Sequence, residues 1–213
     1  MAFYLDSALV YEARVARDMG WVSGITTNPI LLAQSEIPPE ETLRALLACT
    51  HGEIFYQLNA QDLEGMHAEA WVASQLLGKQ LVLKIPATPV GFQAAARLSN
   101  FMPCAITAVF SPAQALLAVA AGARYVLPYV NRATKLLGDG MALVSEIAGV
   151  LAGSATEVLA ASIKSPEEAV AAYRAGASHL TLPLKILQAM SEQELTGLSV
   201  AEFASKGTGI SYA

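Results

Sequence analysis

Residues 105–122 read AITAVFSPAQALLAVAAG, and this stretch decides the fold. Residues 105–109 form a short apolar run bounded by turn signals, the pattern of a buried strand. Ser111-Pro112 then marks a helix start, with proline at the first helical position, where its missing N–H costs nothing. An alanine- and leucine-rich helix follows, and Gly122 stops it. The stretch is one strand followed by one helix, written in local signals alone.

The same unit recurs along the chain. Residues 3–6 precede a helical pattern over 8–19 closed by Gly20. Residues 22–25 lead into the Thr26-Thr27-Asn28-Pro29 turn, and Pro38-Pro39-Glu40-Glu41 opens a helix to Cys49. Residues 53–58 precede a helix over 62–77 with Gly78 as its stop. Residues 81–85 precede a helix over 91–100. Residues 125–130 precede a loop and a helix over 141–151. Residues 158–162 precede the Ser165-Pro166 helix start, ended by Gly176. Residues 179–182 come last, with 184–190 helical behind them. From Asp6 to Pro183 the chain takes seven steps of about 25 residues each. Regular alternation predicts a parallel sheet, and eight units predict a closed (β/α)₈ barrel, compact beside the roughly 250 residues typical of that fold. A doubly wound sheet is the rival, although the chain carries neither a G-x-G-x-x-G turn nor a P-loop. The reading assigns residues 1–190 to the barrel and 191–213 to a short helix (198–205) and flexible tail of the same domain.

Composition narrows the class. The 213 residues are 54% hydrophobic and 15% charged, with mean hydropathy +0.43. The richest apolar run, 115–123, stops at Arg124, short of the 18 or more residues that a spanning helix needs. The surplus is largely alanine, which suits close-packed helices and subunit contacts, so the expectation is a homo-oligomer without a membrane partner. The net charge of -5 argues against nucleic-acid binding, which calls for clustered Lys and Arg. The N-terminus reaches Asp6 with no basic region before an apolar stretch, so no secretory leader is expected. Isolated Cys49 and Cys104 fit reduced core thiols in a cytoplasmic protein. His51, His67 and His179 form no ligand motif, and no metal is expected.

Lys84 lies within Leu81-Val82-Leu83-Lys84-Ile85-Pro86, an apolar strand closed by proline. A lysine there either snorkels to water or is held desolvated, which disfavours the ammonium and lowers its pKa. A lysine of the second kind is the nucleophile that forms a Schiff base with a carbonyl substrate. Its company favours that reading. A barrel gathers the C-terminal ends of its strands at one mouth, and those ends carry Asp6, Thr26 with Asn28, Gln57, Lys84, Thr107, Tyr129 and Ser162.

Six stretches, 3–6 (FYLD), 23–29 (SGITTNP), 82–86 (VLKIP), 125–132 (YVLPYVNR), 159–164 (LAASIK) and 180–184 (LTLPL), resemble the small transaldolases and fructose-6-phosphate aldolases over about residues 1–190. The resemblance implies a metal-independent, cofactor-free class I aldolase-type enzyme on a (β/α)₈ barrel. Lys84 would be its Schiff-base lysine, with Asp6 and Asn28 shuttling protons and orienting substrate hydroxyls. Transaldolases of the family keep a glutamate on the third strand, an asparagine two residues before the fifth-strand threonine and a phenylalanine on the sixth strand. This chain has Gln57, Ala105 and Tyr129 there, which match the aldolase branch. Tyr129 with Gln57 and Thr26 would then hold the catalytic water, since a phenol can hold and protonate where phenylalanine cannot.

Arg132, Ser162 and Lys164 match the family's phosphate-binding positions, with Thr107 beside the substrate. Leu127 replaces the usual alanine or serine near the donor's hydroxymethyl group, which favours hydroxyacetone over dihydroxyacetone. The implied reaction joins or cleaves a three-carbon ketone and an aldehyde such as glyceraldehyde 3-phosphate. The alternatives are a transaldolase moving a dihydroxyacetone unit between sugar phosphates of the pentose phosphate pathway, and a catalytically idle sugar-phosphate-binding barrel. The resemblance also implies pentamers or decamers, although residues 198–205 read as a short helix and 206–209 as flexible where the family runs a longer helix ending in a tryptophan-bearing tail.

Overall fold

In a computed structural model that describes residues 1–210, the chain forms a closed parallel barrel with strand order β1-β2-β3-β4-β5-β6-β7-β8. The strands are β1 (Phe3–Asp6), β2 (Val22–Thr26), β3 (Glu53–Gln57), β4 (Leu81–Pro86), β5 (Cys104–Val109), β6 (Tyr125–Pro128), β7 (Glu157–Ala160) and β8 (His179–Leu182). The helices are α1 (Val10–Asp18), α2 (Pro29–Leu32), α3 (Pro39–Leu47), α4 (Leu63–Leu77), α5 (Pro89–Leu98) and α6 (Pro112–Ala120). After them come α7 (Val130–Leu137), α8 (Gly140–Leu151), α9 (Pro166–Arg174), α10 (Leu184–Ala189) and α11 (Glu194–Lys206). The (β/α)₈ reading is therefore right, and the doubly wound alternative falls with the closure of β1 on β8.

Alternation along each strand divides the core in two. Outward residues such as Leu5, Ile54, Leu83, Ile106 and Val126 pack against the helices. Inward residues Tyr4, Phe55, Val82, Ala105, Tyr125, Leu127, Leu159 and Ala161 fill the barrel. The expected Ser-Pro helix starts hold: Ser111 accepts from the Gln114 N–H, and Ser165 from the Glu168 N–H. The same device starts α5 two residues before the expected Gly91, with Thr88 capping and Pro89 at the first position. Gly91 itself is required by contact, because a Cβ there would lie 2.0 Å from the Pro86 carbonyl oxygen.

Three local readings need correction. The sixth strand ends at Pro128, and the expected loop after it is the helix α7. Its polar residues hid an amphipathic pattern whose apolar face buries Val130 and Ala133. Second, the turn after β2 contains α2, capped by Asn28. Third, α11 is a 13-residue helix, longer than expected, and none of its residues is buried. The last three residues of the expected tail, 211–213, lie outside the described part. Among the described residues no helix is long and apolar enough to cross a membrane.

Candidate active site

The site grows from β4. Lys84 points into the barrel at its C-terminal end, in register with Gln57 on β3 and Ala105 on β5. It is 2% exposed, and Nζ donates a 2.9 Å hydrogen bond to the Thr27 carbonyl oxygen. Burial lowers its pKa below the ordinary lysine value, and the coulombic attraction of Asp6 opposes that shift. Desolvation is the larger effect, so the amine is driven toward its neutral form. A neutral amine bonded to Thr27 through one N–H keeps its lone pair for the cavity. Thr27 is itself fixed, since its N–H and its hydroxyl both donate to the Phe55 carbonyl, at 2.9 and 2.8 Å.

Asp6 ends β1 opposite Thr26 of β2. The Thr26 hydroxyl donates to Asp6 Oδ1 at 2.8 Å and lies 2.6 Å from the Thr181 hydroxyl of β8. A hydroxyl has one proton. Because Thr26 gives its proton to Asp6, Thr181 is the donor to Thr26. Three strands are thus joined by a directed chain that ends on the carboxylate.

Across the mouth, Tyr129 caps α7, and its hydroxyl accepts a 3.1 Å hydrogen bond from Thr107. That leaves the phenol proton free to face the cavity. Burial raises the Tyr129 pKa, the Thr107 hydrogen bond lowers it, the Asp6 charge raises it and Arg132 lowers it; the net direction is up. The phenol therefore stays protonated at neutral pH. The Arg132 guanidinium lies over the Tyr129 ring, 5.1 Å from its centroid, a distance at which cation and ring attract. A bulge between Thr107 and Val109 seats Ala108 at φ +57°. Ser162 takes φ +62° at the end of β7. Left-handed backbone outside glycine costs energy and gathers at functional sites; both residues line the same cavity.

That cavity, about 410 Å³ in volume, is lined by Asp6, Asn28, Gln57, Lys84, Ala108, Tyr129, Arg132, Ser162 and Lys164 among others. Eight of the residues expected from sequence therefore share one wall. Thr26 and Thr107 sit just behind it, bonded to Asp6 and Tyr129. Ala105 and Leu127 are fully buried in the barrel filling and do not line the cavity. Asn28 spends its Oδ1 on the Ile30 and Leu31 N–H groups, leaving only its NH₂ to offer. Gln57 Oε1 is buried with no hydrogen-bond partner among the described residues, an acceptor held open at the mouth. Among the described residues Asp6 is the single carboxylate on the wall.

Sequence reasoning passed over Thr27 and Thr181. Thr27 acts through a backbone carbonyl, which no residue type signals. Thr181 was detectable as a polar residue inside the apolar eighth strand.

A closed parallel barrel thus gathers a desolvated lysine amine, a carboxylate and a phenol around one mouth. The comparisons give the family. Residues 3–208 match the family model described as Transaldolase/Fructose-6-phosphate aldolase. The chain is 39% identical to a probable transaldolase of Heliobacterium modesticaldum over 206 residues, covering 95% of each chain. It is 35% identical to a probable transaldolase of Kosmotoga olearia over 219 residues, covering 99% of this chain and 100% of that one. The chain belongs to the transaldolase/fructose-6-phosphate aldolase family and is an enzyme of that kind. Among solved structures, a mandelate oxidase shares a TM-score of 0.61 at 20% identity, covering 84% of this chain and 60% of that one; this likeness is one of fold alone.

Proposed function

We propose that the chain is a class I aldolase of the fructose-6-phosphate aldolase type, working on a three-carbon ketone and an aldehyde such as glyceraldehyde 3-phosphate. The observation that carries the reading is Lys84, a buried amine of lowered pKa that is bonded on one side only and opens onto the cavity. The neutral amine adds to the ketone carbonyl, and loss of water gives an iminium. In cleavage, a proton leaves the C4 hydroxyl, the C3–C4 bond breaks, and its electron pair enters the iminium to form an enamine. The aldehyde departs, C3 takes a proton, and water hydrolyses the imine to free ketone and Lys84.

Asp6 is suited to move protons during imine formation, since Thr26 and Thr181 hold it in place. The Asn28 NH₂ and the Gln57 carbonyl oxygen offer one donor and one acceptor to substrate hydroxyls or to a catalytic water. Tyr129, kept protonated, supplies the acid for the enamine carbon, directly or through that water. Arg132, Ser162 and Lys164 offer a guanidinium, a hydroxyl and an ammonium to an anionic end; the guanidinium can grip phosphate in two places, the ammonium as a point charge. This chemistry needs neither metal nor cofactor. The protein is proposed to act in the cytoplasm as a homo-oligomer.

The second reading is a transaldolase, favoured by the names of the relatives. Gln57 and Tyr129, in place of the glutamate and phenylalanine of that branch, support the aldolase. Incubation with dihydroxyacetone and borohydride followed by mass measurement tests both, because a reduced adduct on Lys84 is expected from either. Adding an acceptor sugar phosphate separates them: an aldolase releases free ketone faster than it transfers. Absence of an adduct with both dihydroxyacetone and hydroxyacetone would count against either reading and favour an idle sugar-phosphate-binding barrel.

A further inference from the structure

Arg132, Ser162 and Lys164 share the cavity wall but belong to two segments, the first turn of α7 and the loop between β7 and α9. One side chain joins these segments from behind. Glu168 Oε1 accepts from Asn131 Nδ2 at 2.8 Å, and Oε2 accepts from the Lys164 backbone N–H at 2.7 Å. A carboxylate three residues into a helix ordinarily turns back to the N–H of its own cap residue. Here the cap is Ser165, which accepts from the Glu168 N–H, while the carboxylate reaches one residue further back and sideways to another element. The Asn131 N–H donates to the Ser162 carbonyl at 3.1 Å, a second link between the same segments. Both groups facing Glu168 are donors, and an ionised carboxylate accepts at both oxygens. Glu168 and Asn131 are absent from the cavity wall.

We propose that the Glu168–Asn131 bridge is a positioning unit that fixes the spread of Arg132, Ser162 and Lys164 and so sets the preference for substrates with a phosphate-sized anionic end. This rests on the reading of that wall as the anion-binding side of the site. The bridge has a polarity, and polarity gives the test. In N131D two carboxylates face each other and the link is lost. In E168Q, Asn131 can turn its amide so that its oxygen accepts from the new NH₂, and the link largely survives. In E168Q/N131D, the glutamine accepts from Lys164 and donates to the aspartate, so the bridge is rebuilt with the net charge of the wild type.

The measurements are kcat and KM for glyceraldehyde 3-phosphate and for unphosphorylated glyceraldehyde with one ketone donor, together with calorimetric binding of inorganic phosphate. N131D should raise KM for the phosphorylated aldehyde roughly tenfold, as loss of a charge-assisted hydrogen bond allows, and weaken phosphate binding likewise. Its kcat/KM for glyceraldehyde should stay within about twofold, and E168Q within about threefold of wild type in every measurement. Glu168→Ala should follow N131D without adding charge. The double variant should return to within about threefold of wild type.

A double variant as weak as N131D would mean that charge near Arg132, and no bridge, governs the effect, and the proposal would be overturned. So would a parallel loss for both aldehydes, or a wild type that fails to bind phosphate. Phosphate binding in the expected order without turnover of either aldehyde would refute the aldolase reading and leave the bridge standing.

Discussion

The two ends of the barrel are built from the same strands and treat polar groups in opposite ways. At the N-terminal end, Glu53 of β3 accepts from the Tyr4 hydroxyl at 2.8 Å and the Tyr125 hydroxyl at 3.0 Å through one oxygen, and from Arg124 at 2.7 Å through the other. The rings of Tyr4 and Tyr125 each meet His179 edge to face, and the His179 Nδ1 accepts from the Ala2 N–H. The His179 Nε2 lies 3.3 Å from Glu157 Oε1 but off the line of a hydrogen bond. Burial, with the Glu53 carboxylate, pushes the Tyr4 pKa far up, and burial likewise takes Tyr125 to about 12. Four residues further along β3, Gln57 keeps a buried acceptor without a partner among the described residues, where Lys84 beside it makes one hydrogen bond and an ammonium could make three. Apart from His179 Nε2, these polar groups of the closed end are satisfied internally and serve stability. The mouth leaves donors and acceptors open, which is the arrangement that a ligand completes.

The sharpest test of the contrast is Lys84→Met. Turnover and borohydride trapping should vanish while the fold persists; an adduct that survives this change would move the nucleophile to another lysine. Next comes Tyr129→Phe, which removes the phenol proton from the mouth. Aldol cleavage should fall roughly 10²–10⁴-fold, the range for a lost general acid or base, while trapping by dihydroxyacetone continues. Unchanged cleavage would reduce Tyr129 to a packing residue.

At the closed end the effect should invert. Glu53→Leu strips the acceptor from two phenols and a guanidinium. It should cost about 2–6 kcal/mol in denaturant unfolding, given about 1–3 kcal/mol for each of the two buried phenols left unpaired. Trapping at Lys84 should be unaltered, and a variant that loses trapping without losing stability would erase the division between the two ends.

A smaller effect should appear in the pH dependence of stability. The folded-state pKa of Lys84 lies below the ordinary lysine value, so the unfolded chain binds the extra proton between those two values. Stability of the wild type should therefore rise with pH across that window, up to about 10.4. Lys84→Met lacks this gain, so its melting temperature relative to wild type should fall as pH rises. A flat difference would mean that the amine is charged in the folded protein.

The smallest effect concerns Leu127, expected from sequence to face the donor yet buried in the barrel filling. Leu127 stands in register with Thr107, which bonds Tyr129, so it lies behind the cavity wall without reaching the cavity. Leu127→Ser should shift the ratio of kcat/KM for dihydroxyacetone over hydroxyacetone by no more than about fivefold, below the discrimination of a directly contacting pocket group. A larger shift would place this side chain on the cavity wall in the working enzyme.

Much of this was legible along the chain, because local signals carry it. Strand-then-helix alternation repeats eight times, marked by two Ser-Pro helix starts and the glycine stops at 20, 78, 122 and 176, and an eightfold repeat of parallel units closes on itself. Lys84 declared itself by being a cation in an apolar strand, and Asp6, Gln57 and Tyr129 by sitting at strand ends. The α7 helix was missed because Asn131, Arg132 and Thr134 mask its short apolar face, and that error hid the placement of Tyr129 and Arg132 on one helix start.

The amino-acid sequence by itself determined the eight-unit barrel, its Ser-Pro helix starts and the lysine set in an apolar strand, since each depends on residues near one another in the chain. Only the tertiary structure decided what those residues touch. Lys84 meets a carbonyl 57 positions away, Thr26 meets Thr181 across 155, and Asn131 meets Glu168 across 37. Barrel closure sets such pairings, and a backbone carbonyl or a threonine behind the wall has no side-chain signature that periodicity or spacing can read.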